Sequence, residues 1–136
     1  SDMDLKVIDT IFKKMESAHT KRNPADEAHH DADFHLAIIE ASHNIIMLHM
    51  MRSMYELLRE GVFYNRTVMF KQRTTRDTLL EQHRAINAAL QARDPERARG
   101  AVEGHLSFVE TSLSDKQKAD RNEAFALKRY EHEAKR

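Results

Sequence analysis

At 136 residues the chain suits one domain with a real core and is short for two. It has no cysteine, which excludes disulfides and thiolate metal sites and is compatible with a reducing cytoplasm. Lys+Arg and Asp+Glu balance at 22 each, so bulk charge argues neither for nor against a polyanionic partner.

No apolar run approaches the roughly 18 residues of a membrane span, and no signal-peptide pattern opens the chain, so it reads as soluble and cytoplasmic, with no membrane partner. The opening Ser1-Asp2-Met3 reads as an addition ahead of a fragment of a longer protein. Only three glycines and two prolines interrupt the sequence, which favours long helices with few connections.

A first helix is expected from Asp4 to about Lys21, where Leu5, Ile8, Ile11, Phe12 and Met15 recur at helical spacing. Asn23-Pro24 ends it and opens a second helix to about His43, with Pro24 suited to a first-turn position. Ile45 begins another long apolar-rich segment through Ile46, Leu48, Met51, Met54, Leu57 and Leu58, which continues less cleanly to Met69. Lys71 to Asp77 reads as a connection, and a fourth core helix spans Thr78 to Ala92 with Leu79, His83, Ile86 and Leu90 on one face. Asp94 caps a last helix begun by Pro95, with Glu96 favouring its first turn. That helix aligns Ala98, Val102, His105 and Val109. Residues 1–113 therefore read as an all-α unit, and 114–136 as a charged, solvated helical tail.

The stretch DADFHLAIIEASHN, Asp31 to Asn44, is the chemical centre of the chain. On a helix, Asp31 and His35 project from one side a turn apart, and Ile38 and Ser42 continue their row into the apolar face. A carboxylate on a buried stripe is costly unless a cation or hydrogen bonds compensate it. Of nine histidines, His35, His83 and His105 lie in apolar rows on three different helices. His29 shares a solvent-side row with Asp33, Leu36 and Glu40; His19, His30 and His132 sit in polar surroundings; His43 and His49 suit a core or an interface.

One inward histidine by itself is usually a hydrogen-bonded structural residue. Three, with an aspartate one turn from one of them, offer three imidazole lone pairs and an anionic ligand. That donor set suits zinc first, and also nickel, manganese, cobalt or iron, since no thiolate selects a soft ion. The run Met47, Met50, Met51 and Met54 fits either an adaptable ligand surface or, more simply, core and dimer packing.

These residues carry a resemblance. D-x-x-F-H at Asp31, Phe34 and His35, continuing as L-A-I-I-E-A-S-H-N to Asn44, resembles the effector-binding (FCD) domain of FadR-type GntR transcriptional regulators. E-Q-H-R-A-I-N-A-A-L from Glu81, D-P-E-R-A-R from Asp94 and G-H-L-S-F-V ending at Val109 agree in order and spacing. The resemblance covers Asp26 to Ser112 and looks most like regulators that respond to lactate, pyruvate or glycolate.

It implies an antiparallel helical bundle that forms a homodimer. It also implies a divalent metal on Asp31, His35, His83 and His105, and a small carboxylate effector completing the coordination sphere. Ser42, Asn44, Arg52, Asn65 and Arg66 are candidate effector-pocket groups. The family's N-terminal winged helix-turn-helix is absent, so operator DNA is expected only through that missing domain. The family's effector domain also opens with helices carrying an Arg and a Glu that this sequence is read as starting after, so part of the effector pocket is expected to lie outside it.

Two other classes fit less well. A metal-dependent hydrolase needs a base beside the activated water. Glu81 and Glu103 turn away from the ligand they precede, which leaves Glu27, one turn before Asp31 and close to a helix start. A bundle stapled by a purely structural metal is the other alternative.

Overall fold

The computed structural model describes residues 1–53, 55–69 and 73–136, without the side chains of 58, 63, 65, 67–69, 73 and 74. Among the described residues there are six helical segments and no strand: α1 Asp2–Thr20, α2 Pro24–Ala41, α3 Ile45–Ser53, α4 Tyr55–Met69, α5 Arg73–Gln91 and α6 Pro95–Ala134. The all-α expectation holds. Helix α1 packs along α2 and α5, α5 along α6, and α4 across α2 and α6. Among the described residues no helix is long and apolar enough to cross a membrane.

Local chemistry explains where the helices start. Ser1 and Asp4 form a reciprocal capping box on α1, with the Asp4 amide donating to Ser1 Oγ at 3.3 Å. Asn23 caps α2 and Asp94 caps α6, and each is followed by the proline expected at the first helical position.

The two proline corners are also built alike on their incoming side. Arg22 and Arg93 both have φ of 54°, and each closes the preceding helix with paired bonds. Arg22 donates to the His19 carbonyl and Asn23 to that of Ala18; Arg93 donates to Leu90 and Asp94 to Ala89. This is the Schellman pattern, which normally takes glycine because the left-handed region costs an L-residue about 1–2 kcal/mol. Replacing Arg22 by glycine is therefore expected to raise stability by about 0.5–1 kcal/mol after glycine's larger unfolded-state entropy is deducted, read as a higher urea midpoint.

The core lies between α1, α2 and α5. Ile8, Phe12 and Met15 of α1 meet Phe34 and Ala37 of α2 and Leu80 and Ile86 of α5, with Ala101 and Val102 of α6 against its edge. Ile8, Phe12, Met15 and Ile86 are positions that helical spacing assigns inward, whereas Ser42, at the end of the Asp31 row, is exposed.

Three expectations change. The fourth helix begins at Arg73, not Thr78, so residues 73–77 are helical and not a connection; Lys71 and Gln72 lie outside the described residues. The reason is that this polar first turn is held by charge, not by apolar contact. Arg76 reaches Glu27 and Asp77 reaches His19.

The apolar segment from Ile45 is helical on both sides of residue 54, yet no residue of α3 is buried. Ile45, Met47 and Met50 are exposed and Ile46 is 75% exposed, so helical periodicity marks an uncovered face here. Neither His43 nor His49 belongs to the core. His43 is exposed and its Nε2 stands 2.8 Å from Asp4 Oδ2, tying the α2–α3 corner to the start of α1.

Helix α6 has 40 residues and runs unbroken past Ser114. At 1.5 Å per residue that is about 60 Å. Its second half is mostly exposed, including Phe125, Leu127 and Tyr130.

Candidate metal centre

Asp31 and His35 lie one turn apart on α2, His83 lies midway along α5, and His105 is the buried residue of α6. Asp31, His83 and His105 are 5%, 0% and 4% exposed, and His35 stands partly open beside them. Phe34 walls the cluster from the core, presenting its ring to His35 and His83 at 5.9 and 5.5 Å between centroids.

The three imidazoles converge. His35, His83 and His105 each offer a ring nitrogen within 4.8 Å of the others. His35 and His105 stack at 5.5 Å with an interplanar angle of 12°, and His83 closes on His105 at 4.5 Å between centroids. His83 Nε2 stands 3.4 Å from His35 Nε2. At that distance one nitrogen presents a lone pair to the other, or both present lone pairs to a cation.

Asp31 joins this point. Its Oδ1 lies 3.0 Å from His35 Nε2 and 3.1 Å from His83 Nε2. The same oxygen is buried and receives no directed hydrogen bond, as is His83 Nδ1. Proximity without hydrogen-bond direction is the pattern of ligands grouped around a shared ion. Donor atoms 2.0–2.1 Å from a tetrahedral zinc stand about 3.3 Å from one another, close to the separations seen here. The donor set and its spacing fit a divalent cation.

Electrostatics keep the donors ready. Burial first, and then the close approach of the His83 and His35 rings, pushes His105 down to about 3, so its ring is neutral at neutral pH. Its Nδ1 lies 2.8 Å from Gln82 Oε1. A carbonyl oxygen only accepts, so Nδ1 carries the proton and Nε2 keeps its lone pair for the cluster. For Asp31, burial opposes ionisation. The close approach of the His83 and His35 rings and the charge of Arg66 outweigh it and hold the carboxyl well below its ordinary range.

Behind the cluster lies a second layer of charge. Arg66 of α4 donates Nε to Asp31 Oδ2 at 2.6 Å and a terminal nitrogen to Glu27 Oε1 at 3.0 Å. Arg76 donates to Glu27 Oε2 at 3.1 Å, and His19 Nδ1 stands 2.9 Å from Glu27 Oε1. His19 extends this chain to Asp77 through Nε2, also at 2.9 Å.

The five candidate pocket residues divide clearly. Arg66 is buried and at the cluster. Ser42 donates to the Ile39 carbonyl at 2.6 Å, Asn44 accepts from the Met47 amide at 3.1 Å, and Arg52 faces Glu40 at 3.8 Å, all three on the surface. The Asn65 side chain lies outside the described residues. Glu81 and Glu103 are exposed, as their spacing requires.

Sequence reasoning missed Gln82 and Arg76, and it took Glu27 only for a possible base. The signal for Glu27 was present, since it occupies the same helical row as Asp31.

The comparisons with known proteins agree with one another. The FCD domain family model matches residues 1–108. The chain is 43% identical over 83 residues, 61% of its length, to the putative L-lactate dehydrogenase operon regulatory protein of Escherichia coli K12, covering 32% of that protein. It is 32% identical over 115 residues to the HTH-type transcriptional regulator LutR of Bacillus subtilis 168, covering 84% of this chain and 52% of LutR. The Glc operon transcriptional activator of E. coli K12 is 29% identical over 115 residues, covering 82% of this chain and 45% of that protein. The chain thus spans about a third to a half of the length of the curated relatives it matches, all three of which are named as regulators. With the family match extending over most of its length, the chain belongs to the FCD domain family.

Proposed function

We propose that this chain is the ligand-sensing domain of a cytoplasmic, bacterial GntR-type transcriptional regulator. In this reading Asp31, His35, His83 and His105 hold a divalent cation, zinc foremost, and a small 2-hydroxy or 2-oxo carboxylate of the lactate, pyruvate or glycolate type completes its shell. The observation that carries the reading is the buried Asp31 Oδ1, which lacks a directed hydrogen bond yet lies within 3.1 Å of two imidazole nitrogens. The name of the E. coli lactate-operon regulator supports lactate as the first acid to try.

The work of the chain's own residues follows from charge. Asp31 supplies the one anionic ligand among three neutral imidazoles. Arg66 fixes the direction of that carboxylate, and Gln82 fixes the tautomer of His105. A bound divalent cation would leave a net charge near +1 on these ligands and supply a seat for a carboxylate and its neighbouring oxygen.

Since the ligands come from α2, α5 and α6, occupancy of the seat bears on how these helices sit together. It shifts an equilibrium only as far as the acid binds one arrangement more tightly. In a whole regulator that shift would be transmitted to an N-terminal DNA-binding domain. The uncovered apolar side chains of α3 suit a homodimer contact in which a second copy covers them.

Metal analysis of protein purified without chelators, followed by calorimetry with lactate, pyruvate, glycolate and acetate, tests the reading. A stoichiometric divalent ion is expected, with heats from the hydroxy and keto acids that EDTA abolishes. An ion without any acid binding would leave a structural staple; no ion at all would sink the reading.

A further inference from the structure

We infer that Glu27 is a positioning residue of the cation site, acting through Arg66 to keep one oxygen of Asp31 available as a ligand. The inference rests on the proposed reading that Asp31, His35, His83 and His105 hold a cation.

Glu27 and Asp31 occupy successive turns of one buried helical row, at 1% and 5% exposure. Two carboxylates so placed repel each other unless a cation lies between them. The guanidinium of Arg66 is that cation, with Nε on Asp31 Oδ2 and a terminal nitrogen on Glu27 Oε1.

The consequence for Asp31 is geometric. A guanidinium facing a single carboxylate prefers the two-pronged arrangement that engages both oxygens. Here Glu27 anchors terminal Nη1, which fixes the orientation of the guanidinium, and Arg66 meets Asp31 Oδ2 through Nε. Oδ1 is left pointing at His35 Nε2 and His83 Nε2. Glu27 itself is held in place from two further helices, by His19 of α1 and Arg76 of α5. Its charge also offsets that of Arg66, which would otherwise oppose a divalent ion next door. Removing Glu27 is thus expected to weaken the site twice, by releasing the guanidinium to reorient over the Asp31 carboxylate and by removing the negative charge that offsets Arg66 beside the ion.

The test is Glu27→Gln in the whole chain, which keeps the side-chain shape and one acceptor oxygen. Zinc affinity is measured by competition with a chromogenic chelator. The expected fall is about 10–100-fold, the range for losing an outer partner of a metal ligand. The cobalt(II)-loaded variant should also show a changed visible absorption spectrum, because the Asp31 ligand is displaced; a side chain that only stabilises the bundle would not alter that spectrum. Arg66→Lys is the second variant. It keeps the charge but removes the planar guanidinium whose Nε and terminal nitrogen engage Asp31 and Glu27 from fixed directions, and the same direction of change is expected, whether or not Glu27→Gln folds. Glu81→Gln, on the exposed face of α5, should stay within about twofold of the parent in zinc affinity, since it touches none of these groups.

Failure separates cleanly. Parent protein that binds neither zinc nor cobalt overturns the cation reading itself. Parent protein that binds both ions, with Glu27→Gln and Arg66→Lys matching it in affinity and spectrum, overturns only the role of Glu27.

Discussion

Replacing His83 by alanine is expected to strip the chain of stoichiometric metal. His83 is fully buried and its Nε2 lies within 3.1 Å of Asp31 Oδ1 and 3.4 Å of His35 Nε2, so it stands at the middle of the donor group. Losing an outer partner of a metal ligand costs about 10–100-fold in affinity, and losing a ligand should cost at least the upper end of that range. His105→Ala should behave alike, and both variants should lose their response to carboxylic acids along with the ion. Equilibrium dialysis followed by elemental analysis provides the measurement. Undiminished metal in both variants would remove these histidines from the site.

The second large effect concerns stability. Arg66→Met is expected to destabilise the metal-free protein by about 3–5 kcal/mol, the usual cost of removing one partner from a buried ionic group. The side chains of Arg66 and its two carboxylate partners are all under a tenth exposed, so little solvent is at hand to rescue Glu27 and Asp31. Urea unfolding with EDTA present measures the loss. Zinc should recover part of it, because an ion on Asp31 restores a positive partner to one of the two carboxylates that Arg66 served. A loss below 1 kcal/mol would mean that the cluster holds its geometry without Arg66.

Acid unfolding of the same pair of proteins gives an independent sign. Burial alone would raise the Glu27 carboxyl, but the His19 hydrogen bond, the charge of Arg66 and the hydrogen bonds of Arg76 and Arg66 outweigh it and leave the group below its ordinary range. A carboxyl depressed in the folded state stabilises fully above the ordinary glutamate range. That contribution fades as the pH drops from there toward the folded value, because the unfolded chain takes up the proton first. With Arg66 gone the depression shrinks, so the acid midpoint followed by far-UV circular dichroism should move to higher pH. An unmoved midpoint would count against the coupling of Glu27 to Arg66.

Much of this molecule is legible one helix at a time. The inward stripe Ile8, Phe12 and Met15, the corners at Asn23-Pro24 and Asp94-Pro95, and the shared row of Asp31 and His35 follow from a period of 3.6 residues and from capping chemistry. Those rules act within a turn or two, so the linear order of residues is enough to apply them. The same logic put His83 and His105 on inward faces before any packing was known.

What the chain's order alone left open is every contact that spans helices. Arg66 reaches Asp31 across 35 positions and Glu27 across 39, and His83 meets His35 across 48. No local pattern encodes such a partner. Arg76 looked like part of a polar connection because its turn has no apolar stripe, and only the approach of α2 reveals the carboxylate it serves. Helix α3 erred in the opposite direction. Its apolar spacing specifies a face that shuns water, but whether this chain or another covers that face depends on where the remaining helices lie, and here they leave it bare. Periodicity therefore determined which side of each helix is apolar. Only the packing of helix on helix decided which buried charges find one another, because a charge is satisfied by distance in space and not by distance along the chain.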